Sequence, residues 1–196
     1  MNIFFLHPNA RRCARWHCNK HVVKMILETA QLLYTAHWVL EMAENRLPCF
    51  KDAPLQKSSG IRGYLSIHNP AHPSAIWTRA SKEHYEWLCI LGLELCREFT
   101  HRFKKMHSCE VHIRWLASNI PRTLQSNGWR DPPCAMPPEY RISKNSVSCY
   151  RLYYVKGKST LLQYTSRNPP HWLDTNIMTK QRQSSDMYRK AKWPVS

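Results

Sequence analysis

Val22, Val23, Ile26, Leu27, Leu33 and Tyr34 recur at three- and four-residue spacing. That period belongs to a helix with one broad apolar face, not to a strand. Asn9 precedes it as an N-cap, a side chain that accepts a hydrogen bond from an unpaired amide of the first turn. The spacing predicts a long helix from about Ala10 to about Met42, with room for a break. His17, His21, Lys24, Glu28 and Gln31 fall on the opposite side as a polar stripe, with Lys20 beside it.

The rest of the chain follows the same period. A second strong helix is expected from Ala80 or Ser81 to about His107, with Tyr85, Leu88, Leu95, Phe99 and Phe103 on its apolar face. Shorter ones are expected over Cys109 to Ala117 and Ser143 to Tyr154. Asn2 to Leu6 reads as one short buried extended segment, turned by His7-Pro8-Asn9. Residues 45–70 read as a long loop, and residues 119–138, with five prolines, as irregular chain. The expected fold is mainly α: a single helical domain over residues 1–174 with a short N-terminal extended segment and long loops, then a basic flexible tail over 175–196.

Charge narrows the function. The 196 residues carry 29 Lys plus Arg against 13 Asp plus Glu, a net charge of +16. So cationic a body repels itself and is suited to a polyanionic partner. Nucleic acid is the first candidate and an anionic membrane surface the second. No apolar run approaches the roughly 20 residues of a membrane span. Ile3 to Leu6 is too short an apolar run for a signal peptide. Several of the eight cysteines sit in apolar helical stretches, so they read as reduced residues of an intracellular protein. The excess of charge is uneven. Met1 to Leu27 holds no Asp or Glu, but has Arg11, Arg12, Arg15, Lys20 and Lys24. Guanidinium and ammonium groups so placed fix the register of a phosphate backbone without reading bases.

Three constellations could carry chemistry. Cys13, His17 and His21 lie four apart on a helix, a spacing open to zinc. Cys18 points elsewhere, and structural zinc draws ligands from separated segments, so no metal or cofactor is assigned. His21, Lys24 and Glu28 share a face as an acid–base group, with a solvated ion-paired face as the plain alternative. His68 and His72, stiffened by Pro70 and Pro73, precede Trp77 and Arg79, a pair able to stack on and pair with a nucleotide. With five glycines and no phosphate loop, dinucleotide and Walker-type folds are excluded. A metal-dependent nuclease is disfavoured, because carboxylates for Mg²⁺ are scarce in the basic half.

Two resemblances bear on this. To about Trp172 the chain resembles a family of short proteins from bacteriophages and large DNA viruses. The likeness is carried by Cys18-Asn19-Lys20-His21-Val22-Val23-Lys24-Met25-Ile26-Leu27-Glu28, by His72-Pro73 with Trp77 and Arg79, and by Tyr85-Glu86-Trp87-Leu88. Glu98 with Arg102 and His107, Ala135-Met136-Pro137, Tyr150-Arg151 with Tyr153-Tyr154, and Pro170 with Trp172 extend it. That resemblance implies no particular activity. Met1-Asn2-Ile3-Phe4-Phe5-Leu6-His7-Pro8, opening onto a basic helical domain, is similar to the pyrimidine-dimer DNA glycosylases. This second resemblance implies that the Met1 α-amine attacks the sugar carbon of a damaged nucleotide, that Glu28 assists, and that β-elimination cuts the strand. It also implies that Arg11, Arg12 and Arg15 hold phosphates.

The expected function is therefore a DNA-binding glycosylase/lyase acting on damaged or modified pyrimidines. The expected catalytic residues are Met1, Glu28, His21 and Lys24. Arg11, Arg12, Arg15, Lys20, His72, Trp77, Arg79 and Arg151 are expected on double-stranded DNA. The alternative is a non-catalytic nucleic-acid-binding or DNA-packing virion protein.

Overall fold

The computed structural model describes residues 2–56, 58–64 and 69–173. Met1, His68 and the expected basic tail lie outside the described residues. Among them the protein is mainly helical, with six α-helices and no strand. The helices are α1 (Ala10–Trp16), α2 (Asn19–Ala43), α3 (Pro73–Ala80), α4 (Lys82–Phe103), α5 (Glu110–Ser118) and α6 (Ser146–Gly157).

The predicted first helix is two. Asn9 caps α1 as expected, its side chain accepting the Arg12 amide at 3.0 Å. The helix then stops at His17, whose backbone is extended, and α2 restarts after Cys18. The groups freed at this break are taken up from outside. Arg102 of α4 donates to the Arg15 carbonyl at 3.0 Å and to the His17 carbonyl at 2.8 Å. A buried helix end persists only when its carbonyls find such partners.

The sequence reading assigns no element to residues 73–79, where α3 forms. His72 caps it, its Nδ1 accepting the Ser74 amide at 3.1 Å, and Pro73 stands in the first turn, where a missing N–H costs nothing. Extended Ser81 separates it from α4. Helix α4 is central, packed against α1, α2, α3 and α5. Gly92 permits this: a Cβ there would meet Thr29 Cγ2 of α2 at 2.8 Å and Ile113 Cδ1 of α5 at 3.0 Å.

Residues 3–6 are buried, yet they pair with no strand. Side chains serve their backbone instead. The Cys13 thiol donates to the Phe4 carbonyl, and Arg151 Nε to the Leu6 carbonyl at 3.1 Å. Phe4 has φ 52°, a left-handed conformation that costs a non-glycine residue about 1–2 kcal/mol. Its ring is held against the His21 ring, with centroids 4.1 Å apart.

The expected faces of α2 need correction. Val23 and Leu27, assigned to the apolar face, are 42% and 36% exposed. His17, His21 and Glu28 of the polar stripe are buried, and only Lys24 among the four is exposed. The N-terminal segment and α6 cover that side, so the stripe turns inward. Residues 45–56 and 58–64, expected as loop, are largely exposed but anchor on the core at a few points. Phe50, Ala53 and Gly63 are buried, and the Gly63 Cα approaches so closely that a Cβ would sit 2.9 Å from Tyr34.

Candidate active site and nucleic-acid interface

The N-terminal segment and α2 meet at Glu28. The Asn2 backbone amide donates to Glu28 Oε2 at 2.7 Å, and Lys24 Nζ lies 3.3 Å from Oε1. Glu28 is 8% exposed, whereas Lys24 reaches solvent. The Asn2 side chain is fixed at both ends. Its Nδ2 donates to the Ala135 carbonyl at 2.7 Å, and its Oδ1 accepts from the Tyr150 hydroxyl at 2.8 Å. The first peptide N–H of the chain is therefore clamped on a nearly buried carboxylate. His72 adjoins the group: burial lowers its pKa, and the negative charge of Glu28 opposes that shift.

His21 does not join Lys24 and Glu28 in an open site, which corrects the acid–base triad. It is buried, stacked on Phe4, with its Nδ1 hydrogen-bonded to the Tyr154 hydroxyl. Burial, with help from His17, Lys158 and Lys24, drives its pKa down to about 3, so it stays neutral and acts in packing. His17 is likewise enclosed, its Nδ1 on the Cys13 carbonyl at 2.8 Å, and burial takes its pKa to about 4. Among the described residues no three His, Cys, Asp or Glu side chains gather as a metal cage. The Cys13 thiol donates to the Phe4 carbonyl.

The residues expected on DNA divide. Arg11, Arg12, Arg15 and Lys20 are exposed. Arg11 reaches Glu94 at 4.0 Å, but the Arg12 and Arg15 guanidiniums have no ion pair among the described residues. Arg151 is half-buried, its guanidinium 5.0 Å from the Trp16 ring centre and 5.3 Å from that of Trp172. Arg79 is half-buried on α3, with one Nη lacking a partner and its pKa lowered by burial. Trp77 is corrected. It is 6% exposed, stacked on His84 at 4.5 Å, with its indole N–H on the Arg130 carbonyl. A base finds no open face on it.

Arg12 and Arg15 look into a cleft of about 630 Å³ lined also by Trp16, Ser166, Arg167, Asn168 and His171. Trp16, Arg167, Asn168 and His171 are not among the residues expected on DNA. Arg167, His171 and Trp172 within six residues were the signal the sequence offered. Comparison with family models, with curated proteins and with solved structures finds no match to this chain. No helix among the described residues is long and apolar enough to cross a membrane.

Proposed function

We propose that this protein binds double-stranded DNA and excises damaged or modified pyrimidines through its N-terminal amine, cutting the strand afterwards. The observation that carries the reading is the Asn2 amide held 2.7 Å from Glu28, with Lys24 at the other carboxylate oxygen. The residue bonded to that amide is Met1. An α-amine ordinarily titrates at about pH 8, so a useful fraction is unprotonated at neutral pH. Such an amine, within covalent reach of a carboxylate, would be a nucleophile next to a proton acceptor.

In the reaction the Met1 nitrogen forms a bond to C1′ as the glycosidic C–N bond breaks. The base leaves with the bonding pair and gains a proton. One amine proton passes to the departing base; the C1′–O4′ bond then breaks, O4′ takes up a proton to become a hydroxyl, and a protonated imine remains. Removal of a C2′ proton then drives β-elimination, which expels the 3′ phosphate. The Glu28 carboxylate stabilises positive charge on the sugar and accepts a proton. Reaching a base in a duplex requires its extrusion from the stack. Eight cysteines, none in a disulfide, suit a reducing intracellular setting.

Borohydride should reduce the imine and leave a covalent protein–DNA adduct on a lesion-bearing duplex. Acetylating the N-terminus should abolish the adduct, and Glu28→Gln should lower its yield at least a hundredfold while binding persists. No adduct with any pyrimidine lesion would remove the amine mechanism. A second reading has its own support in Arg12 and Arg15, exposed without carboxylate partners among the described residues. A non-catalytic DNA-packing protein needs only those. It predicts equal binding of damaged and undamaged duplex, and slightly tighter binding by Glu28→Gln.

A further inference from the structure

We infer that the cleft between α1 and residues 166–171 is a built site for a phosphodiester of the DNA backbone, with Arg12, Arg15 and His171 as its contacts. This rests on the nucleic-acid half of the proposed function and is independent of the amine chemistry.

Three observations lead there. The first is the lining: Arg12, Arg15 and Arg167 face the cleft with Asn168 and His171, and among the described residues no carboxylate lines it. The second is the balance of charge behind it. Glu98 alone serves both Arg102, at 3.0 Å, and Arg167, at 2.8 Å. Arg12, Arg15 and Arg151 have no carboxylate partner among the described residues. Convergent guanidiniums left so are stabilised by an anion, and phosphate matches their fork of donors.

The third is that both walls are fastened to one buried group. Arg102, fully enclosed, holds the Arg15 and His17 carbonyls on the α1 side. Glu98 holds Arg167 with two bonds, at 3.0 and 2.8 Å, on the other side. Asn19 ties the same segment down, accepting the Thr165 amide at 3.0 Å and donating to its hydroxyl at 2.8 Å. Trp16 stands between, with Arg151 over its face and His171 against its edge, 5.7 Å between centroids. The backbone walls that carry the donors are thus fixed before any ligand arrives, which lowers part of the entropic cost of binding.

The placement suits a duplex that also reaches Glu28. Asn2 begins the segment at Glu28, and Leu6 ends it on Arg151, beside Trp16. Four residues span at most about 14 Å, roughly four base-pair rises of a duplex. A short backbone segment therefore joins the Glu28 carboxylate to the Arg151 that stacks on Trp16 of the cleft.

The test is titration of an undamaged duplex, which does not engage the amine, at a series of salt concentrations. Arg12→Gln with Arg15→Gln should weaken binding at least tenfold at about 0.1 M salt and lower the salt slope by about two. Lys51→Gln with Arg122→Gln makes the same charge change near a different cleft, one sharing no lining residue with the first. That pair should cost less than threefold. Covalently closed circular DNA should compete as well per base pair as linear DNA with 5′-phosphate ends. A second readout needs no DNA: inorganic pyrophosphate should shift the Nε–H resonances of Arg12 and Arg15, and His171→Gln should weaken that response. Equal losses from the two double variants, competition by ends alone, or unmoved arginine resonances would overturn the assignment.

Discussion

At the scale of single residues the buried histidines decide how the fold responds to acid. His17, His21 and His37 are enclosed, and burial is the leading cause that takes their pKa values to about 4, 3 and 4. An unfolded histidine titrates near 6.5. Below that pH the unfolded chain takes up protons that the folded chain refuses. The contribution of these residues is therefore complete above pH 6.5 and falls as the pH drops toward 4. One proton per histidine is worth about 1.4 kcal/mol per pH unit. From pH 7.5 to 5.5 the three together should cost roughly 4 kcal/mol, or about 10 °C in melting temperature for a chain of this size. Thermal melts followed by circular dichroism at the two pH values check this. His21→Gln should reduce the difference by about a third; an unchanged melting temperature would show these imidazoles to be protonated in the folded chain. The sequence reading puts His17 and His21 on one helical side and assigns that side to solvent; the helix breaks at His17, and both residues are buried. Periodicity finds faces and cannot say which face a distant segment will cover. Here Ile3 to Leu6 and Tyr154 do the covering.

Between elements, the decisive contacts are those made by α4. The long helix expected from Ala10 to Met42, with room for a break, was legible as helix, but the place of the break was not, because nothing in Trp16-His17-Cys18-Asn19 is a helix breaker. The break exists because Arg102, some 85 residues away in the chain, supplies the hydrogen bonds that the interrupted ladder loses. By contrast α3 was available in the sequence: His72 followed by Pro73 is an N-cap and first-turn pair. Two substitutions test the role of α4. Arg102→Met removes both carbonyl contacts and one partner of buried Glu98, and should cost about 3 kcal/mol in a denaturant titration. Arg102→Lys should recover only part of that, since an ammonium cannot span carboxylate and carbonyls together. Gly92→Ala places a methyl against Thr29 and Ile113, and overpacking of this kind costs about 1–3 kcal/mol. A neutral result at Gly92 would mean that α2, α4 and α5 pack less closely than described.

For the whole molecule, the question is whether the surplus of positive charge is organised. Glu94, Glu98 and Glu110 are each taken by arginines close in space. The guanidiniums of Arg12 and Arg15 are left over on one cleft, and Glu28 lies at the other end of the segment that runs beside them. Such an arrangement separates two contributions to binding. Phosphate contacts release counterions, so the affinity falls with salt at about 0.9 in logarithmic slope for each phosphate neutralised. On the proposed function, recognition of a lesion beside Glu28 would release few more, so it should scarcely depend on salt. With about four phosphates engaged, raising salt fourfold from 50 mM should weaken binding about a hundredfold. Lesion-bearing and undamaged duplexes should give parallel lines on that plot, displaced by a constant factor. Fluorescence anisotropy on matched duplexes measures both slopes. Coincident lines would leave a protein that only neutralises phosphate, and a slope below about two would remove the backbone contacts on which either reading of this chain depends.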